Sequence, residues 1–243
     1  MKKYIILALA ICSLASCGRT VATSQHEADK RSFDAWVHVQ KEKHPYPEYL
    51  WQQTRLGSWL LEDTAGNGDL IDISVDSLYV RFNYTTRSTN GTITGTTYAK
   101  TAQQLGTYNE TYYYGPRIVY VAGTYAGLEE LFDGMRDGGH RKAVVPGWLQ
   151  TYSRYDDPAK YLNDSTSRSA VIYVIEVVEH FRNTNEWELD SLSRYLVHKF
   201  PKRFGTDPAK ARADSAGAHG FYYIQENAPR VNKELADTTV YIN

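Results

Sequence analysis

Cysteine is almost missing from this chain. Both cysteines, Cys12 and Cys17, lie near the start, so no thiol exists from Gly18 onward. Over that stretch a disulfide framework, a cysteine-ligated metal and a cysteine nucleophile are all excluded. A dominant sign of charge is missing too. The 27 Lys+Arg and 28 Asp+Glu residues leave a net charge of −1, which makes no electrostatic case for nucleic acid or an acidic membrane surface. After residue 17 no apolar run approaches the ~20 residues that a membrane-spanning helix needs. His44, His140 and His180 show no ligand spacing, so structural or surface roles are expected for them rather than metal binding. Tyrosine, by contrast, is abundant at 20 residues. Tyrosine and threonine favour strands, and rings with polar tips suit shallow, wet grooves.

Met1-Lys2-Lys3, the apolar run Tyr4–Cys12 and Leu14-Ala15-Ser16-Cys17 together have the layout of a secretory signal. A cysteine at the cut resembles the lipobox of a bacterial lipoprotein. That resemblance implies a signal peptide over 1–16, lipidation of Cys17 and attachment to a membrane through a lipid anchor. Gly18 follows the cysteine in place of aspartate, so outer-membrane sorting is expected, with the protein on the periplasmic face.

Residues 17–31 are polar and aperiodic and read as a lipidated tether. Phe33, Trp36 and Val37 then fall at helical spacing, with Ser32 as a cap, and Pro45 and Pro47 end that helix. Strands are expected at Gly57–Glu62, at Asp76–Tyr84, where Leu78, Val80, Phe82 and Tyr84 share a face, at Tyr112–Ala122 after its Gly-Pro, at His140–Val145 and at Val171–Val178. Asn90-Gly91 predicts a hairpin. Leu128, Leu131, Phe132 and Met135 predict a short helix with one apolar face, ended by Gly138-Gly139. The order is that of an antiparallel α+β domain. Glu129-Glu130 and Asp156-Asp157 are adjacent pairs whose members point to different sides, and they read as solvated.

A second helix is expected after Arg182, capped by Asn185 and Glu188 and stopped by Pro201. Asp207–His219 reads as a loop. Gly220–Glu226 and Asp237–Asn243 echo Gly57–Asp63 and Asp76–Asn83, so 183–243 reads as a helix plus the start of a second, incomplete module that begins near Glu186. A chain ending in a strand leaves an unpaired edge, so more chain or a partner strand is expected there.

Phe82-Asn83-Tyr84-Thr85-Thr86 with Gly91, Gly127–Gly138 (GLEELFDGMRDG), Val145–Tyr152 (VPGWLQTY) and Ser169–Val177 (SAVIYVIEV) resemble, in that order, the motifs of FKBP-type peptidyl-prolyl cis–trans isomerases. The resemblance covers roughly Leu56–Phe181. It implies an FKBP-like fold over 32–182, a five- or six-stranded antiparallel half-barrel wrapped on a short helix and flanked by further helices. It also implies a pocket between helix and sheet. Tyr84, Tyr152 and Tyr173 would form the isomerase site, and Leu128, Tyr120 and Val121 would contribute to substrate binding. Proline-containing polypeptides would be the partners. Prolyl isomerisation needs no nucleophile, metal or cofactor, because the ~18–20 kcal/mol barrier is one of amide resonance; none is expected.

Three departures bear on activity. Thr94-Gly95 stand where the family has Phe-Asp, Leu128 stands where it has tryptophan, and the loop Gly123–Ala126 is about three residues shorter than usual, a loop that in the family offers backbone groups to the ligand. The alternatives are a catalytically weak peptide-binding or scaffold lipoprotein, or a glycan-binding envelope lipoprotein that uses its exposed tyrosines.

Overall fold

The computed structural model describes residues 26–164 and 168–215. The expected signal peptide, Cys17 and the segments Gly220–Glu226 and Asp237–Asn243, read as part of a second module, lie outside the described residues. The chain divides into two compact units, Met1–Arg182 and Asn183–Asn243.

The first unit is α+β. Its strands are β1 (Gln52–Gln53), β2 (Trp59–Thr64), β3 (Tyr79–Ser88), β4 (Ile93–Thr96), β5 (Arg117–Tyr120), β6 (His140–Val145) and β7 (Val171–Phe181). They form one seven-stranded sheet in the order β1-β2-β6-β7-β3-β4, and every pairing is antiparallel. This exceeds the five or six strands expected. Two-residue β1 adds an edge, and β4 and β5 share one side of β3, pairing with Thr85–Arg87 and Tyr79–Phe82 respectively. Val171–Phe181 is central, between β6 and β3, as its nearly continuous β-branched run requires.

Each face of the sheet has its own cover. Helix α3 (Ala126–Phe132) packs against one face, where Val80, Phe82, Ala143, Val145, Ile175 and Val177 join Leu131 and Phe132 in the main core. The approach is close at Gly127, where a β-carbon would lie 2.3 Å from Val145 Cγ1, so only glycine fits. The helix stops earlier than Gly138-Gly139 suggest. Asp133 is extended and Gly134 takes φ +70°, a left-handed turn that glycine adopts without steric cost. Helix α1, residues 26–43, covers the opposite face. Its Phe33 and Val37 bury against Leu61, Val144 and Ile172, Phe33 meets Trp148 edge-on at 5.3 Å, and Trp36 Nε1 donates to Thr89 O at 3.1 Å. Residues 26–31, assigned to the tether from sequence, are therefore helical. Glu27, Ala28, Lys30 and Arg31 are good helix formers, and Lys30 pairs with Asp34 one turn on.

Among the described residues of this unit lie two further short α-helices, α2 (Ala99–Gln104) and α4 (Pro158–Asn163). Asp157 caps α4, accepting from Ala159 N at 2.9 Å. Glu129 and Glu130 are not a solvated pair: Glu129 bonds Arg154 at 2.5 Å, and Glu130 is buried.

The second unit begins with α5 (Thr184–Lys199). Its cap is Asn183, whose side chain accepts from Asn185 N and Glu186 N, so the cap lies two residues before Asn185. Helices α6 (Pro201–Phe204) and α7 (Pro208–Ser215) follow. Residues read as loop are thus helical over α7: Asp207 accepts from Ala209 N at 3.0 Å, Pro208 supplies the first turn, and the alanines favour helix.

Candidate functional site: a tyrosine platform

The alternation of β3 sends Val80, Phe82 and Tyr84 to the α3 side. Tyr84 sits opposite Ile175 and Thr86 opposite Tyr173, so Tyr84 and Tyr173 are diagonal neighbours on one face, a spacing that aromatic rings can bridge. Both are half-buried against the main core, and the Tyr84 ring leans on Phe82 at 5.6 Å. Burial, followed by the nearby Tyr125 and Tyr84 phenols, pushes Tyr173 up to about 12. Its hydroxyl therefore stays protonated and remains a donor throughout the neutral range.

Tyr125 is the residue that sequence reasoning missed. It immediately precedes α3 and packs its ring 4.6 Å from that of Tyr152. The neighbouring Tyr125 phenol raises Tyr152 above its ordinary range. Ala126 N donates to Thr151 O at 2.8 Å, which joins the start of α3 to the segment carrying Tyr152. Arg154 clamps the same region, donating to Tyr152 O, Ala122 O and Thr124 O while pairing with Glu129. The available signal for Tyr125 was an aromatic residue in the shortened loop ahead of a helix.

The other candidate residues separate. Leu128, on the first turn of α3, is half-buried against the core beside the platform. Val121 is 1% exposed and belongs to the core, so it offers no pocket surface. Tyr120 pairs in register with Tyr79, whose parity on β3 is opposite to that of Tyr84. It therefore faces the other side, its ring 5.4 Å from Tyr79.

Beyond Tyr84 lies a cleft of ≈ 370 Å³ whose walls include Gly95, Asn109, Tyr113 and Arg117. Thr94-Gly95 line it where the family resemblance expected Phe-Asp. Behind α3, buried Glu130 accepts from Leu56 N at 2.9 Å and Ser58 Oγ at 2.6 Å, holding the turn between β1 and β2. Desolvation is the largest influence and raises its pKa despite those bonds. A raised folded-state pKa means the native state holds this proton more tightly than the unfolded chain. Its contribution is complete below about 4.3, the ordinary glutamate value, and is lost as pH rises through the folded pKa. In paired denaturation curves, the stability advantage of the native chain over Glu130→Gln is expected to be largest in acid and to shrink toward neutrality. A pH-independent difference would show that the carboxyl does not titrate in that window.

No protein-family model matches this chain, and no curated protein matches it in sequence. Among solved structures it is similar to FkpA from Escherichia coli, at 17% identity over 72% of this chain and 72% of that one, TM-score 0.42. A peptidyl-prolyl cis-trans isomerase from Pseudomonas syringae pv. tomato gives 17% identity over 63% of this chain and 94% of that one, TM-score 0.42. AtFKBP13 gives 15% identity over 52% of this chain and 95% of that one, TM-score 0.34.

Proposed function

We propose that this chain is an envelope lipoprotein that binds proline-containing segments of exported polypeptides and isomerises their Xaa-Pro bonds. The observation that carries this reading is the diagonal pairing of Tyr84 and Tyr173 on the α3 face of the sheet, with Tyr125 packed on Tyr152 at the start of α3. Aromatic faces suit a pyrrolidine ring, and protonated phenols can donate to the flanking carbonyls. A site that holds the ring and favours the twisted over the planar imide lowers the barrier by differential binding alone. The lipobox at Leu14-Ala15-Ser16-Cys17 supports export and anchoring through Cys17, at the periplasmic face of the outer membrane.

A second reading, peptide holding without turnover, is favoured by one observation. The amides of Thr124 and Ala126 donate to Val121 O and Thr151 O, so the short loop spends on itself donors that a ligand could have used. The test is NMR exchange of a short Xaa-Pro peptide with the full chain in detergent. Exchange well above the uncatalysed rate is expected, reduced roughly tenfold or more by Tyr173→Ala, since losing ring packing costs on the order of 1.4 kcal/mol. His140→Ala should change it little. Binding without faster exchange would establish the second reading. Equal effects of the two substitutions would sink the platform as the site.

A further inference from the structure

The cleft beside Tyr84 carries a charge that the proposed activity does not use. Arg117 is the first residue of β5 and sits directly opposite Phe82 on β3. Cross-strand partners share a face, so Arg117 lies on the same side of the sheet as Phe82 and Tyr84. Tyr84 is two residues further along β3, about 7 Å at the rise of a strand. That is about the span of two residues in an extended peptide.

The surroundings of Arg117 are one-sided. Its guanidinium lies 5.6 Å from the Tyr113 ring centre and donates to Tyr113 O at 3.0 Å. Among the described residues this is its one side-chain hydrogen bond, and no carboxylate pairs with it. A guanidinium has five N–H donors, so most of the fork remains for a ligand. The cleft walls hold tyrosines, threonines, Asn109 and Arg117, with no Asp or Glu. Arg168 adds a second cation beyond the platform, 5.9 Å from the Tyr125 ring centre. A peptide lying across Tyr84 toward Arg117 thus meets aromatic faces and positive charge.

We propose that the Tyr84–Arg117 cleft is a subsite for an acidic side chain one or two residues from the bound proline, so that this protein selects proline segments flanked by Asp or Glu. The inference rests on the reading of the tyrosine platform as the proline site. The carboxylate takes the free edge of the Arg117 fork, and Tyr113 walls the cleft beside it. A carboxylate on a guanidinium is a charge-assisted bond, and its partly desolvated setting keeps it from being fully screened.

The experiment titrates the full chain in detergent with short blocked peptides that carry one proline flanked by Glu, Gln or Lys, and with a Glu peptide lacking proline. The Glu-Pro peptide is expected to bind about tenfold tighter than the Lys-Pro peptide, and the gap should narrow with added salt. Arg117→Gln should abolish the preference, Arg117→Glu should reverse it, and Arg117→Lys should keep its sign at reduced size. Tyr173-dependent binding of proline peptides with no charge preference would overturn the subsite and leave the platform standing. An Arg117-dependent preference for Glu that ignores proline would overturn the proline reading and leave an acidic-peptide cleft. A preference unchanged in Arg117→Gln, or a neutral oligosaccharide that displaces the Glu peptide, would overturn the assignment.

Discussion

Arg141→Met is expected to lower stability by about 3 kcal/mol, read as a fall in the denaturant midpoint at unchanged slope. Arg141 projects from β6 under the end of α3 and is 6% exposed. Its Nε and Nη2 form a fork onto Asp63 at 3.0 and 2.9 Å, and Nη1 donates to Leu131 O at 2.8 Å and Asp133 O at 2.9 Å. One side chain therefore neutralises a carboxylate on β2 and satisfies carbonyls at the C-terminus of α3, which the helix cannot satisfy itself. Methionine keeps the apolar stem but strands those acceptors. Asp63 is partly exposed, at 31%, so it can rehydrate, which holds the cost at the lower end of the range for broken buried pairs. Arg141→Lys should recover part of the loss, because it restores charge but not the fork. A cost below ~1 kcal/mol for the methionine variant, the level of an ordinary exposed pair, would refute the capping role.

Phe132→Ala is expected to cost about 3–5 kcal/mol, the range for emptying an aromatic site in a core. Phe132 is 0% exposed and meets Phe82 edge-on, with centroids 5.0 Å apart at 78°. Phe82 in turn supports the Tyr84 ring. The cavity therefore opens directly beneath the platform, and peptide affinity should fall together with stability. Phe132→Leu refills most of the space and should lose far less of both. If peptide affinity survives Phe132→Ala in protein shown to be folded, Tyr84 does not depend on this core for its position.

Strands β2, β3, β5, β6 and β7 were legible because their patterns are local. Val80, Phe82 and Tyr84 alternate, Asn90-Gly91 marks a two-strand turn, and Leu128, Leu131 and Phe132 repeat at helical spacing, so each stretch declares its type within a few residues. Helix α7 and residues 26–31 of α1 were less legible. Polar, alanine-containing sequence has no apolar stripe to reveal a helix, although the Asp207-Pro208 start was present to be read.

The site divides along the same line. That Tyr84 shares a face with Val80 and Phe82 follows from β3 alone, and the core-side place of Leu128 from the helical spacing of α3. Whether Tyr120 faced toward or away from Tyr84 depended on the pairing of β5 with β3, and a shift of one residue would have reversed it. Glu130 looked like half of a solvated pair until the turn at Leu56 and Ser58 closed over it.

The amino-acid sequence by itself determined strands β2, β3, β5, β6 and β7, helices α3 and α5, the hairpin, the apolar face of α3 and the absence of thiols after Cys17, because these rest on composition and on side-chain periods that neighbouring residues reveal. Only the tertiary structure decided that Tyr125 and Tyr152 meet, that Arg117 shares a face with Tyr84 and that Arg141 caps α3. Those are contacts between distant segments, set by strand register and by the way a helix seats on a sheet, and no local pattern encodes them.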